Sequence, residues 1–141
     1  MLGKMFGGLE EYAPLLVRLG LGTVFGFFGA QKLLGWFGGP GLEKTADAFA
    51  GLGFPIPAFM AALAAIGELG GGVLVALGLV TRYAAAILCI VMIVALFAAH
   101  GGRIFADGLP AFCCLILAIS LLATGGGKVS CDRMFKIDER V

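Results

Sequence analysis

The fold class follows from one stretch of sequence, residues 56–80, which reads IPAFMAALAAIGELGGGVLVALGLV. Its 25 residues contain a single charged side chain, that of Glu68. An apolar stretch longer than about 18 residues can cross the hydrocarbon core of a bilayer as one helix. The stretch is therefore predicted to be a membrane span with an ionisable residue at its middle.

Three further apolar stretches predict that the chain crosses the lipid bilayer four times. Of the 141 residues, 60% are hydrophobic and 13% are charged, whereas soluble domains carry about 25% charged residues. We expect one all-α domain over residues 1–141, an integral membrane bundle of four transmembrane helices. The predicted spans and the polar tail are residues 15–34, 56–80, 83–100, 110–126 and 128–141.

The long connection between the first two spans predicts a short amphipathic helix. Apolar residues recur there at helical spacing, with charged residues on the opposite face. Such a pattern is typical of a helix at the membrane surface or folded over the bundle, although an ordinary linker helix would share it. The apolar set is Leu42, Ala46, Phe49 and Ala50, and the charged set is Glu43, Lys44 and Asp47.

The distribution of basic residues predicts the orientation in the membrane. Four spans place seven basic residues on the side of the termini: Lys4, Arg18, Arg82, Lys128, Arg133, Lys136 and Arg140. The other side has three: Lys32, Lys44 and Arg103. The positive-inside rule then places both termini in the cytoplasm, as in a multi-pass protein of the cell inner membrane. The net charge of +1 offers no basic surface for nucleic acid.

Charged residues inside the predicted spans are the candidate ion-pair residues. Glu68 lies at the centre of the second span, where an ionisable side chain costs about 2.5–3.5 kcal/mol and is a functional candidate by default. Arg18 and Lys32 share one face of the first span, about 21 Å apart at 1.5 Å per residue. If the two spans pack antiparallel, either cation can reach Glu68. The alternatives are a purely structural glutamate and basic side chains that extend to their own membrane surfaces.

A polar pocket is predicted in the outer half of the bundle. His100, the one histidine of the chain, ends the third span at the level of Gln31 and Lys32. Together with Glu68, these residues are the candidate lining of a ligand site. A single histidine and cysteines without C-x-x-C spacing predict no metal site. No recognisable cofactor-binding motif is present, so no catalytic residue can be assigned.

Three stretches of the sequence resemble the DoxX family of small four-helix membrane proteins. They are FGAQKLLGWFGG at residues 28–39, LGFPIP at residues 52–57 and ELGGGVLVALGLVTRYAA at residues 68–85. Members often carry a histidine where this chain has Phe28, and many carry an acidic residue near the position of Pro110. The family takes its name from a subunit of a thiosulfate:quinone oxidoreductase, so the resemblance implies a link to redox metabolism at the inner membrane.

Three functions remain open at this point. The first is a subunit of a quinone-linked oxidoreductase complex, with quinone in the pocket and a redox partner subunit or a second copy of the chain beside it. Such a subunit would not be an enzyme on its own. The second is a non-catalytic assembly or anchoring protein. The third is a small-molecule or proton carrier that uses Glu68.

Overall fold

All of the secondary structure that the computed structural model describes, within residues 8–137, is helical. The predicted all-α class is therefore confirmed. Two of the basic residues behind the predicted orientation, Lys4 and Arg140, lie outside the described residues. The helices are α1 (Ala13–Leu34), α2 (Gly41–Gly51), α3 (Pro57–Leu77), α4 (Thr81–Val94), α5 (Leu109–Thr124) and α6 (Cys131–Met134). A π-helical turn, Ala95–Ala99, extends α4, and 3-10 turns cover Glu10–Tyr12 and Trp36–Gly38.

Three helices among the described residues are long and apolar enough to cross a membrane. They are α1, α3 and the continuous helix Thr81–Ala99. The remaining apolar helix, α5, has 16 residues, slightly fewer than the roughly 17 that a span requires. The structure thus contains three candidate spans and one shorter apolar helix.

Helices α3 and α5 end at Leu77 and Thr124, before the predicted ends of the second and fourth spans at residues 80 and 126. Helix α3 stops at Leu77 because Gly78 adopts a left-handed backbone, with φ of 67°, a common helix ending. Gly125 ends α5 with φ of 73° and ψ of −163°, a backbone conformation that favours glycine. Hydrophobicity reports burial or contact with lipid, so it does not by itself mark where a helix ends.

Glycines bring the backbones of α1 and α3 into direct contact. A Cβ atom on Gly29 would lie 2.4 Å from the backbone nitrogen of Leu69, and one on Gly22 would lie 2.5 Å from Cβ of Ala76. A Cβ on Gly72 of α3 would lie 2.7 Å from a backbone nitrogen of α1. Small residues at such positions let helices approach closely. The contacts run in opposite chain directions, so the two helices are antiparallel.

The remaining helices complete a four-helix arrangement around a common core. Helix α4 packs against α3 and α5, and α5 also contacts α1. The core is built from small and medium apolar side chains of all four helices: Leu21, Phe25, Val75, Ala84, Ala85, Leu88, Cys89, Met92, Ala111, Ala118 and Leu121.

The connecting helix α2 folds onto the bundle and packs mainly against α3. Its one fully buried residue in the described chain is Thr45. The hydroxyl of Thr45 donates to the carbonyl of Gly41 at 2.7 Å and lies 3.5 Å from the carbonyl of Lys32. Helix α2 is therefore held beside the end of α1, close to the polar residues considered next.

Gly29→Ala should destabilise the protein, because a methyl group there meets the backbone of α3 and the two helices must separate. The expected loss is about 1–3 kcal/mol, as for other overpacked sites, measured by denaturant titration in mild detergent. Gly26→Ala is the matched control on the same helix, since a Cβ at that position meets no atom within 4 Å. Equal stability of the two variants would contradict the close approach of α1 and α3.

Candidate functional site

Lys32 and Glu68 form an ion pair between α1 and α3. Nζ of Lys32 lies 2.6 Å from Oε1 of Glu68. The glutamate is 1% exposed, whereas the lysine is 33% exposed. The antiparallel packing of the helices brings the two side chains to the same level. Lys32, rather than Arg18, is therefore the cation that meets the central glutamate.

Arg18 is buried, at 2% exposure, but its partners are backbone carbonyls and not a carboxylate. Its guanidinium donates to the carbonyls of Val75 and Ala76, at 3.0 Å each. It also donates to the carbonyls of Gly126 and Val129, at 2.7 and 2.6 Å. The first two belong to the last turn of α3, where carbonyls lack partners within the helix. Arg18 thus joins α1, α3 and the turn after α5.

Asp132 completes this end of the molecule. Its carboxylate accepts hydrogen bonds from the backbone nitrogens of Val80 and Thr81, at 2.5 and 2.8 Å. These donors lie at the start of α4, where a negative charge is favourable. Asp132 also donates its own backbone N–H to the carbonyl of Gly78, at 2.8 Å. The sequence analysis did not identify this residue, because a cap supplied from some 50 residues away has no local signature.

A pocket of about 180 Å³ opens beside the ion pair, at the opposite end from Arg18. Three ionisable residues line it: Lys32, Glu68 and His100. The rest of its wall is mostly apolar and comes from α1, α4 and α5: Val24, Phe25, Phe28, Met92, Ala95, Pro110, Ala111 and Cys114. The cavity therefore combines hydrogen-bond donors and acceptors with apolar and aromatic side chains.

Gln31, the fourth residue expected in this pocket, lies outside its lining. Its side-chain amide donates to the carbonyl of Phe37 at 3.4 Å. A Cβ on Gly39 would lie 2.5 Å from Cβ of Gln31, so the returning chain packs directly on this side chain. Gln31 supports the turn between α1 and α2 and is not directed toward Glu68.

His100 belongs to a small polar cluster at the mouth of the bundle. Its Nδ1 lies 3.6 Å from Oδ2 of Asp107, which also accepts from Nη2 of Arg103 at 3.1 Å. Desolvation alone would raise the pKa of Asp107, but the charge of Arg103 and hydrogen bonds from the backbone and His100 hold that pKa below its ordinary value. Asp107 therefore remains an anion at neutral pH and orients the imidazole.

The family assignment follows from comparison of the sequence with protein families. The model of the DoxX family matches residues 13–101. The chain belongs to the DoxX family. Neither the curated proteins nor the solved structures contain a match to it. Together with the apolar helices, the family indicates a membrane protein.

The DoxX match covers the polar part of the pocket but not all of its wall. Lys32, Glu68 and His100 all lie within the matched residues, whereas Pro110 and Cys114 of α5 lie beyond them. No group of three His, Cys, Asp or Glu side chains that could hold a metal ion occurs in the described part of the chain. The polar side chains of the pocket in this DoxX protein offer hydrogen bonds and charge.

Lys32→Met should destabilise this DoxX protein strongly, on the order of 3 kcal/mol, because it leaves the buried Glu68 without its counter-charge. Lys32→Met combined with Glu68→Gln should recover most of the loss, since no unpaired charge remains. Lys44→Met, on the exposed face of α2, is the control. Unfolding in mild detergent measures the coupling as a double-mutant cycle, and additive effects of the two changes would show that the pair is not coupled.

Proposed function

We propose that this protein is the quinone-binding subunit of a redox complex in the cell inner membrane, with the pocket beside Glu68 as its quinone site. The observation that carries the proposal is the pocket's composition. The ammonium of Lys32 and the imidazole of His100 lie in a cavity walled by aromatic and aliphatic side chains. A quinone ring is flat and apolar with carbonyl oxygens at its edge, so it needs both kinds of contact.

The size of the pocket favours a ring and not a whole lipid-like molecule. Sites for drug-sized ligands measure about 300–1,000 Å³, and this pocket has about 180 Å³. A quinone headgroup would enter between the helices while its isoprenoid tail stayed in the bilayer. Phe28, which lines the pocket, is 49% exposed and so forms part of both the pocket wall and the outer surface of the helix.

Electron transfer in the proposed complex requires a partner. The sequence contains no motif for a flavin, haem or nucleotide, so electrons would pass between the quinone and a different subunit that carries its own redox group. In this reading the DoxX chain binds and orients the quinone. Residues that hold the ring would be Lys32 and His100, with Glu68 fixing the position of Lys32.

We further propose that α5 is the fourth span and that both termini are cytoplasmic. Helix α5, with 16 residues, is shorter than each of the three candidate spans, and its deficit is small enough for local bilayer thinning to accommodate. The end that Arg18 closes would then face the cytoplasm, together with Arg82 and Lys128. The pocket would open toward the outer half of the membrane.

A second function, membrane anchoring without ligand binding, is favoured by one observation. Arg18 is an intramembrane cation whose hydrogen bonds are entirely accounted for by backbone carbonyls. In this alternative the Lys32–Glu68 pair would also serve only to hold helices together. Retention of quinone by the purified protein separates the two functions.

The protein purified in mild detergent should retain quinone, detectable by solvent extraction and mass spectrometry. Ala111→Leu, which fills the pocket, should lower the retained quinone at least tenfold. Ala123→Leu makes the same change on an exposed position of α5 and is the control. Both proteins are first checked for a single elution peak. Equal retention by the two variants would contradict a quinone site in this pocket.

Cysteine labelling tests the proposed orientation. A variant that keeps Cys131 and replaces the other three cysteines with Ala should react with a membrane-impermeant thiol reagent only after spheroplasts are opened. Phe105→Cys in a cysteine-free background should react in intact spheroplasts, because Phe105 is 90% exposed in the loop at the opposite end. The reverse labelling pattern would show that both termini lie on the outer side of the membrane, which contradicts the proposed orientation.

A further inference from the structure

One oxygen of the central glutamate has no hydrogen-bond partner. Oε1 of Glu68 is paired with Lys32, but Oε2 is buried and has no donor among the described residues. A buried acceptor that lacks a partner costs free energy, and in folded proteins such groups are rare. Because Glu68 lines the pocket, a ligand there can supply the missing donor.

The pocket wall does not supply that donor itself. Apart from the ion pair, the side chains around it that carry polar hydrogens are His100 and Cys114. The imidazole of His100 is engaged with Asp107 through Nδ1. A thiol such as that of Cys114 is a weak donor, and it makes no hydrogen bond to Oε2. No side chain of the pocket wall therefore donates to Oε2.

We propose that the occupant donates a hydroxyl hydrogen to Oε2 of Glu68, so that the site binds a quinol in preference to the corresponding quinone. This inference rests on the function proposed above and names the form of the ligand. An ion-paired carboxylate can only accept hydrogen bonds. A quinone presents carbonyl oxygens alone, which are also acceptors, whereas each hydroxyl of a quinol can donate.

Lys32 and the aromatic wall do not distinguish the two forms, because the ammonium can donate to an oxygen of either a quinone or a quinol and the wall contacts either ring. With its Nδ1 beside Asp107, a neutral His100 presents Nε2 as an acceptor, which can receive the hydrogen of a hydroxyl but gains nothing from a carbonyl. The preference for quinol therefore rests on these acceptors, of which Oε2 of Glu68 is the charged one. Hydrogen bonds to an ionised group are roughly twice as strong as neutral ones, so the quinol should bind about tenfold or more tightly than the quinone.

The experiment is an anaerobic calorimetric titration of the purified full-length protein in detergent, after removal of endogenous quinone. The three probes are a short-chain alkyl benzoquinol, the matching benzoquinone and the dimethyl ether of the quinol. The ether keeps the reduced ring but has no hydroxyl hydrogen. The wild type should bind the quinol at least tenfold more tightly than both other probes.

Glu68→Gln tests the residue itself, because the amide can both accept and donate. Its preference for the quinol should fall to about twofold or less, since the amide can now donate to a quinone carbonyl. Glu43→Gln makes the same chemical change on an exposed position of α2 and should keep the wild-type preference. If Glu68→Gln does not fold, the comparison of quinol with its ether on the wild type decides the proposal.

Each outcome has a distinct meaning. Equal affinity of the wild type for all three probes would overturn the inference and leave the quinone site standing. Binding of none of the probes would overturn the proposed function, and with it the inference. A quinol preference that survives in folded Glu68→Gln would show that another group receives the hydroxyl hydrogen, which also overturns the inference.

Discussion

The backbones of α1 and α3 touch at Gly22, Gly29 and Gly72, and the remaining polar contacts depend on that approach. In a bilayer, apolar helices gain little free energy when they exchange contact with lipid for contact with each other, because lipid tails are equally apolar. Close packing of small residues must therefore hold the helices together. The contact also sets the antiparallel register. With that register, Lys32 meets Glu68, and Arg18 reaches the last turn of α3. A shift of one helical turn would move both cations away from their partners.

The two cations of α1, Arg18 and Lys32, have different surroundings, and this gives the two ends of the bundle different characters. Arg18 is surrounded by carbonyls that its five donors can satisfy, a geometry suited to the guanidinium fork. Asp132 at the start of α4 adds further hydrogen bonds at this end. At the other end, the Lys32–Glu68 pair uses only one carboxylate oxygen, and a cavity lies beside it.

The pocket of this chain differs in one wall residue from what the family resemblance leads one to expect. The family match includes all three ionisable residues of the pocket. Phe28 lines the cavity at a position where the resemblance leads one to expect histidine, so this pocket has an additional aromatic wall and a single imidazole, that of His100. Such a lining suits a flat ring held by few polar contacts. Under the proposed function, the oxygen of Glu68 that has no hydrogen-bond partner would decide the choice of ligand.

The sequence by itself determined the all-α class and the three long apolar helices, because both follow from hydrophobic length, and it singled out Glu68 from the cost of a central charge. It could not choose between Arg18 and Lys32 as the partner of Glu68, since both share one helix face. Only the register of the packed helices decided that. The sequence pattern also predicted that Gln31 lines the pocket, and this was wrong. Neighbouring residues of a helix point about 100° apart, and the chain that follows α1 packs against Gln31. Asp132 acts on helix α4, which is distant in sequence, so its role arises only when the helices come together.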